Sequence, residues 1–161
     1  MIRRNLLGVF FVVPVLGACA FTPTTADDLI QQAVDIIGAE EAAGSASVRR
    51  TGLLAAIDAL QSLHPELLSP ASALQFKEAL VASREGLLLL KKGATDVAAA
   101  KTTWDKFDNA VDLTLLMLQA VLARVKTDDP RVATISRYVA DVAILLPILR
   151  ASTLRMRTHT P

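Results

Sequence analysis

The residues of this chain whose types could do chemistry are few. They are one cysteine, Cys19, two histidines, His64 and His159, and three aspartates, Asp105, Asp108 and Asp112, at i, i+3 and i+7. A thiol is a nucleophile, a soft metal ligand or the acceptor of a covalent group, and its surroundings decide which. Cys19 closes the run Leu16-Gly17-Ala18-Cys19, at the end of an apolar stretch from Leu6 to Leu16 that Arg3 and Arg4 introduce. A positive start, an apolar middle of about 7–15 residues and small residues before a cut make a secretory leader. Without a second cysteine, no disulfide can form within the chain even in an oxidising compartment.

Leu16-Gly17-Ala18-Cys19 resembles the lipobox of bacterial lipoproteins, and the resemblance covers the leader alone. It implies that the Cys19 sulfur receives a diacylglycerol, that the leader 1–18 is cut before it, and that the new amino group is acylated by a chain such as palmitate. Two or more acyl chains hold a protein stably on a bilayer, whereas one holds it only marginally. In the Gram-negative sorting rule an Asp directly after the cysteine retains the protein at the inner membrane. Ala20 is not Asp, which favours the periplasmic face of the outer membrane. The outer face of the cytoplasmic membrane is the alternative. An ordinary cleaved signal would instead leave a soluble periplasmic chain. An uncleaved span fits poorly, since Leu6–Cys19 would cover about 21 Å of a roughly 30 Å hydrocarbon core and contains Pro14.

After the leader come a lipidated cysteine and short polar tether, 19–25, and a domain at 26–158 of ordinary size for one core. Extended, Ala20–Thr24 and two further residues reach about 23 Å, so the domain should ride close to the lipid. Of 17 basic residues, Arg3 and Arg4 belong to the leader, which leaves 15 against 16 acids. That balance argues against nucleic acid, which needs a concentrated basic surface. Acids crowd into Asp27–Glu66, and Arg131, Arg137, Arg150, Arg155 and Arg157 into the last stretch. The first and last helices are therefore expected to neutralise each other, unless the basic end meets a partner or anionic lipid.

The elements that must position these residues read as helices throughout. Thr25-Ala26-Asp27-Asp28 resembles a capping box that opens helix 1, which carries Leu29, Ile30, Ala33, Val34 and Ile37 on one side. Gly44 to Ser47 is the expected break. Helix 2 carries Leu53, Ile57 and Leu60 and closes near Leu63, before Pro65. Ser69-Pro70 opens helix 3, which runs to Lys91-Lys92-Gly93, where glycine allows a left-handed cap. Thr95 or Asp96 restarts the chain as helix 4, and Asp129-Pro130 opens helix 5. Short connections and the absence of strand-type alternation predict an all-α antiparallel bundle of four to five helices after the N-terminal signal segment.

Helix 4 carries Trp104, Phe107, Val111, Leu115, Leu118, Leu122 and Val125 at steps of 3 and 4, a continuous core seam. Leu113, Leu116, Met117 and Ala120 lie on its other side. A helix apolar nearly all round is either central or presents its second face to another protein, and the central position is favoured. Helix 5 carries Val132, Ile135, Val139, Val142 and Leu146 on one face. Pro147 predicts a kink or break there, with the apolar face ending near Leu149 and a frayed end from Ala151 onward.

The remaining chemistry is sparse. The Asp105, Asp108, Asp112 stripe offers carboxylates on one face only and reads as a solvated flank pairing with Arg or Lys, not as a cation site. His64 ends helix 2 and reads as a surface or capping residue, while His159 belongs to the tail. No nucleophile elbow, phosphate loop or haem-attachment motif occurs, so catalytic residues, cofactors and metals are all expected to be none. The expected function is a lipid-anchored, non-enzymatic helical adaptor or structural module that binds another envelope protein near the membrane. Its candidate surfaces are Leu113, Leu116 and Met117 on helix 4, and Arg150, Arg155 and Arg157 on helix 5. The alternative is a carrier that holds a small apolar ligand, an acyl chain or quinone, in the bundle core.

Overall fold

The computed structural model describes residues 25–38, 52–93, 96–126 and 128–158, with the side chains of 155–158 excepted. Among the described residues the fold is all-α, with helices α1 (Ala26–Ile37), α2 (Leu53–Leu63), α3 (Pro70–Lys91), α4 (Val97–Leu122) and α5 (Pro130–Thr158). The signal residues Leu16, Gly17 and Ala18, the candidate lipid acceptor Cys19 and the break placed at Gly44–Ser47 lie outside the described residues.

Four of the five described helices begin where a side-chain acceptor meets the orphan amides of a first turn. Thr25 accepts from the Asp28 amide (3.2 Å), Ser69 from the Ser72 amide (3.2 Å) and Asp96 from the Ala99 amide (2.7 Å). Asp129 accepts from the Arg131 amide (2.8 Å), with Pro130 at the first helical position, where its missing N–H costs nothing. α3 ends as its sequence requires, with Gly93 at φ 70° donating to the Leu90 carbonyl. α2 is the exception, starting at Leu53 after Gly52 with no side-chain cap.

The connection between α1 and α2 starts and returns at one point. α1 stops at Gly38 (φ 95°) and α2 starts after Gly52 (φ 130°), both in conformations that L side chains rarely adopt. A Cβ on Gly52 would lie 2.5 Å from the Gly38 Cα, so the two backbones touch.

The core is continuous. α1 supplies Leu29, Ile30, Ala33, Val34 and Ile37, α2 Leu53, Ile57 and Leu60, α3 Leu80 and Leu87, α4 Phe107, Val111, Leu115 and Leu118, and α5 Val139, Val142, Leu146 and Leu149. These are the faces that helical periodicity selects. α3 and α4 form a close antiparallel hairpin, in which a Cβ on Gly86 would sit 3.0 Å from Thr103 Cγ2. Beside it the buried Ser83 hydroxyl donates to the Ala79 carbonyl (2.8 Å) and lies 3.5 Å from the Lys106 carbonyl oxygen. A glycine and a serine at the crossing let the two backbones approach.

Two polar contacts fix the direction of α1. Lys91 Nζ, at the end of α3, donates to Gln31 Oε1 (2.7 Å), and the Tyr138 hydroxyl of α5 donates to the Ile36 carbonyl (2.9 Å). Going from Gln31 to Ile36, α1 therefore leaves the α3–α4 turn and heads for the first half of α5. Burial pushes the Tyr138 hydroxyl well above the usual phenol range, with Asp35 and Asp141 adding to the shift, so it remains a donor to the buried end of α1. One end of the bundle thus gathers the start of α1, the end of α3, the start of α4 and the descending end of α5.

α5 departs from the sequence expectation. It is helical through Pro147 to Thr158, with no break and no frayed end at Ala151. Pro147 is exposed, so its ring faces outward, and the buried series continues past it through Leu149 to Thr153. The stretch Pro130–Leu154 is long and apolar enough to cross a membrane, with a mean hydropathy of 1.7. About 33% of that apolar window is buried, and Ile135, Val139, Val142, Leu146 and Leu149 pack into the bundle core.

Candidate functional site

The acidic stripe of α4 and one arginine of α5 make the ionic centre of the molecule's outer side. Arg150 Nε donates to Asp108 Oδ1 (3.1 Å) and its Nη2 to Asp112 Oδ2 (2.7 Å). All three side chains are about one-third to one-half exposed, where an ion pair is screened and positions more than it stabilises. Burial works against the Arg150 charge while the bonds to Asp112 and Asp108 favour it, and the net direction is upward. Their role as an arginine-paired flank is the one the sequence indicated. The partner is a surprise: Arg150 pairs with α4, not α1. Another cross-helix ion pair, Lys77 Nζ to Asp58 Oδ1 (2.7 Å), joins α3 to α2. Arg131 pairs with its own cap, Asp129.

The Arg150 clamp also sets the register of α4 against α5. In an antiparallel pair with residue 150 level with 108–112, positions 144–148 stand level with 112–116. Leu113 (59 % exposed) and Leu116 (63 %) therefore share a height with Ile144 (66 %) and Ile148 (49 %). Ile144 and Ile148 lie one turn apart on the outward side of α5, opposite the buried Val142, Leu146 and Leu149. These four exposed aliphatic side chains therefore stand at one height on the outer sides of α4 and α5, beside an ion-paired cluster that keeps one net negative charge. Isolated exposed leucines are ordinary, but grouped ones mark interaction sites.

This geometry corrects the expectation that α4 is central, since its second face is open. Leu113 and Leu116 lie on that face as proposed from sequence. Met117 does not join them: it is half-buried and turned toward the core and a shallow open concavity lined by Leu67, Ala120, Val121 and Arg124. Arg150 is an anchored side chain, not part of a free basic end. Arg155 and Arg157 belong to α5 by backbone, and their side chains lie outside the described residues. The sequence reading missed Ile144 and Ile148. Their signal was present, because they occupy positions of α5 out of phase with its core series, as Leu113 and Leu116 do on α4.

His64 sits at the end of α2, where its amide donates to the Leu60 carbonyl (2.8 Å) and Nδ1 lies 3.0 Å from Glu66 Oε1. The backbone hydrogen bond at Glu66 and this imidazole hold the Glu66 carboxyl below the usual carboxylate range. Among the described residues no three His, Cys, Asp or Glu side chains are grouped as a metal site would need. A comparison with protein-family models, curated proteins and solved structures returns no match.

Proposed function

We propose that this protein is a lipid-anchored, non-enzymatic adaptor of the bacterial envelope, which holds a partner protein close to the membrane through the outer face of α4 and α5. The observation that carries the reading is the aliphatic patch of Leu113, Leu116, Ile144 and Ile148 beside the Arg150–Asp108–Asp112 cluster. Protein interfaces combine an apolar centre with a polar, solvent-accessible rim that fixes orientation, and this surface has both. The leader and Cys19 support the anchor, and Ala20 favours the periplasmic face of the outer membrane.

The test is photo-crosslinking in cells, with a benzophenone amino acid at Leu116, at Ile148 and, as a control, at Gln75 on the exposed side of α3. A discrete protein adduct at both Leu116 and Ile148, absent at Gln75, is the expected result. Adducts of equal strength at all three positions, or none at the first two, would refute the docking face. Fractionation of the wild type beside Cys19→Ala tests the anchor separately: the variant should leave the acylated membrane form.

A further inference from the structure

We infer that the end of the bundle built by the close of α3 and the opening of α4 rests on an anionic lipid surface, so that the α4–α5 face stands upright from the bilayer. The inference rests on the proposed acylation of Cys19 and deepens it by assigning an orientation. Its first support is where the tether enters. The Lys91–Gln31 hydrogen bond places the early part of α1 against the end of α3, and Thr25 lies further along α1 in the same direction. Cys19 precedes Thr25 by six residues, a reach of about 20 Å at full extension. The opposite end of the bundle lies the length of α3 away, and its 22 residues span about 33 Å. An acylated Cys19 can therefore bring the near end to the lipid surface without straightening fully.

The second support is the chemistry of that end. Val97, in the first turn of α4, is 80 % exposed, and Leu89, in the last turn of α3, is 50 % exposed. Most of Val97 and half of Leu89 are open to solvent, close in sequence to Lys91, Lys92 and Lys101. From residue 89 to residue 101 the described residues carry Lys91, Lys92 and Lys101 against a single acid, Asp96. The Asp96 carboxylate is already engaged with the Ala99 amide. Lysine stems can lie along acyl chains while their ammonium groups reach phosphate, and anionic headgroups attract clustered lysines over about a Debye length. The same end also carries Asp27 and Asp28 in the first turn of α1, where Thr25 caps the helix by accepting from the Asp28 amide. Shallow insertion of Val97 and Leu89, with a lysine collar around them, is the arrangement these residues fit.

The experiment uses the acylated protein purified from membranes, in which Cys19 is blocked and any introduced cysteine is the reactive thiol. A bimane probe is placed by Val97→Cys, by Leu116→Cys on the upright face and by Ala71→Cys at the opposite end. Each labelled protein is reconstituted into phosphatidylcholine–phosphatidylglycerol vesicles with brominated acyl chains. Several-fold stronger quenching of the residue-97 probe than of the other two is expected, and K92E with K101E in the same chain should reduce it. Equal or stronger quenching at position 71 or 116 would overturn the orientation. So would an unquenched position 97 in a chain that floats with vesicles and carries acyl mass on Cys19, while leaving the anchor intact. A free Cys19 thiol with no added mass would overturn the anchor and the orientation together. Helical circular dichroism of each variant confirms that the compared chains are folded.

Discussion

Truncating Leu116 and truncating Leu118 should have very different consequences, although the residues are neighbours of the same type on one helix. Full burial of a leucine side chain is worth about 1.5–3 kcal/mol, and Leu116, at 63 % exposure, has roughly a third of that cover. Leu116→Ala should therefore cost about 0.5–1 kcal/mol, less a small gain from the better helix propensity of alanine. Leu118 is completely buried, so Leu118→Ala loses its transfer energy and leaves a cavity, for about 2.7–5 kcal/mol. Leu116→Asp is the stricter test. Poorer helix propensity and repulsion from Asp112 at i−4 add about 1 kcal/mol, for a total near 2 kcal/mol, still short of a core lesion. Urea titrations followed by circular dichroism read these differences as midpoint shifts at constant slope. A Leu116→Ala variant as unstable as Leu118→Ala would mean that the outer side of α4 is covered in the folded protein. The docking reading would then fall with it.

Four further outcomes follow from the described contacts. Tyr138→Phe removes the donor to the Ile36 carbonyl and should cost about 1–2 kcal/mol in urea titrations, with faster amide exchange at the end of α1. Gly52→Ala must adopt φ 130° and place a Cβ 2.5 Å from the Gly38 backbone, and should lose at least about 3 kcal/mol in the same assay. Gly86→Leu should cost about 1–3 kcal/mol or more by prising α3 from α4, and Thr103→Ala in the same chain should recover part of it. The side-chain hydrogen bond from Arg131, then its amide, lowers the Asp129 pKa, so its carbon-13 titration midpoint should fall below the ordinary aspartate value and rise again in Arg131→Ala. The sign is that of a depressed acid: the stabilisation is fully present above the unfolded value and is lost as pH falls through the folded one.

The local rules of the sequence were enough for most of the framework. Ser69-Pro70, Lys92-Gly93, Asp96 and Asp129-Pro130 marked helix ends because their chemistry serves the orphan groups of a helix terminus, whatever the tertiary context. The core seam of α4 was legible for the same reason, through Phe107, Val111, Leu115 and Leu118. Context decided the rest. Pro147 predicted a kink or break, and the helix does not break: on the exposed side of α5 the burial of Leu146, Leu149 and Thr153 on either side outweighs one missing hydrogen bond. Gly44 drew attention as a breaker within a run of small residues, whereas Gly38 and Gly52 owe their importance to each other, and a contact fourteen positions apart has no local signature. The outer patch was half visible. Leu113 and Leu116 stood out beside a clear seam, but Ile144 and Ile148 became meaningful only when Arg150 fixed their height against α4.

The touching glycines have a consequence for how the chain can vary. Because Gly38 and Gly52 meet backbone to backbone, the end of α1 and the start of α2 are held together by these two residues themselves. Each doubling of the segment joining them costs only about 0.6 kcal/mol of closure entropy. A reporter domain, an epitope or a lengthened sequence could thus be inserted between Gly38 and Gly52 without retuning any helix, provided both glycines are kept as its hinge posts.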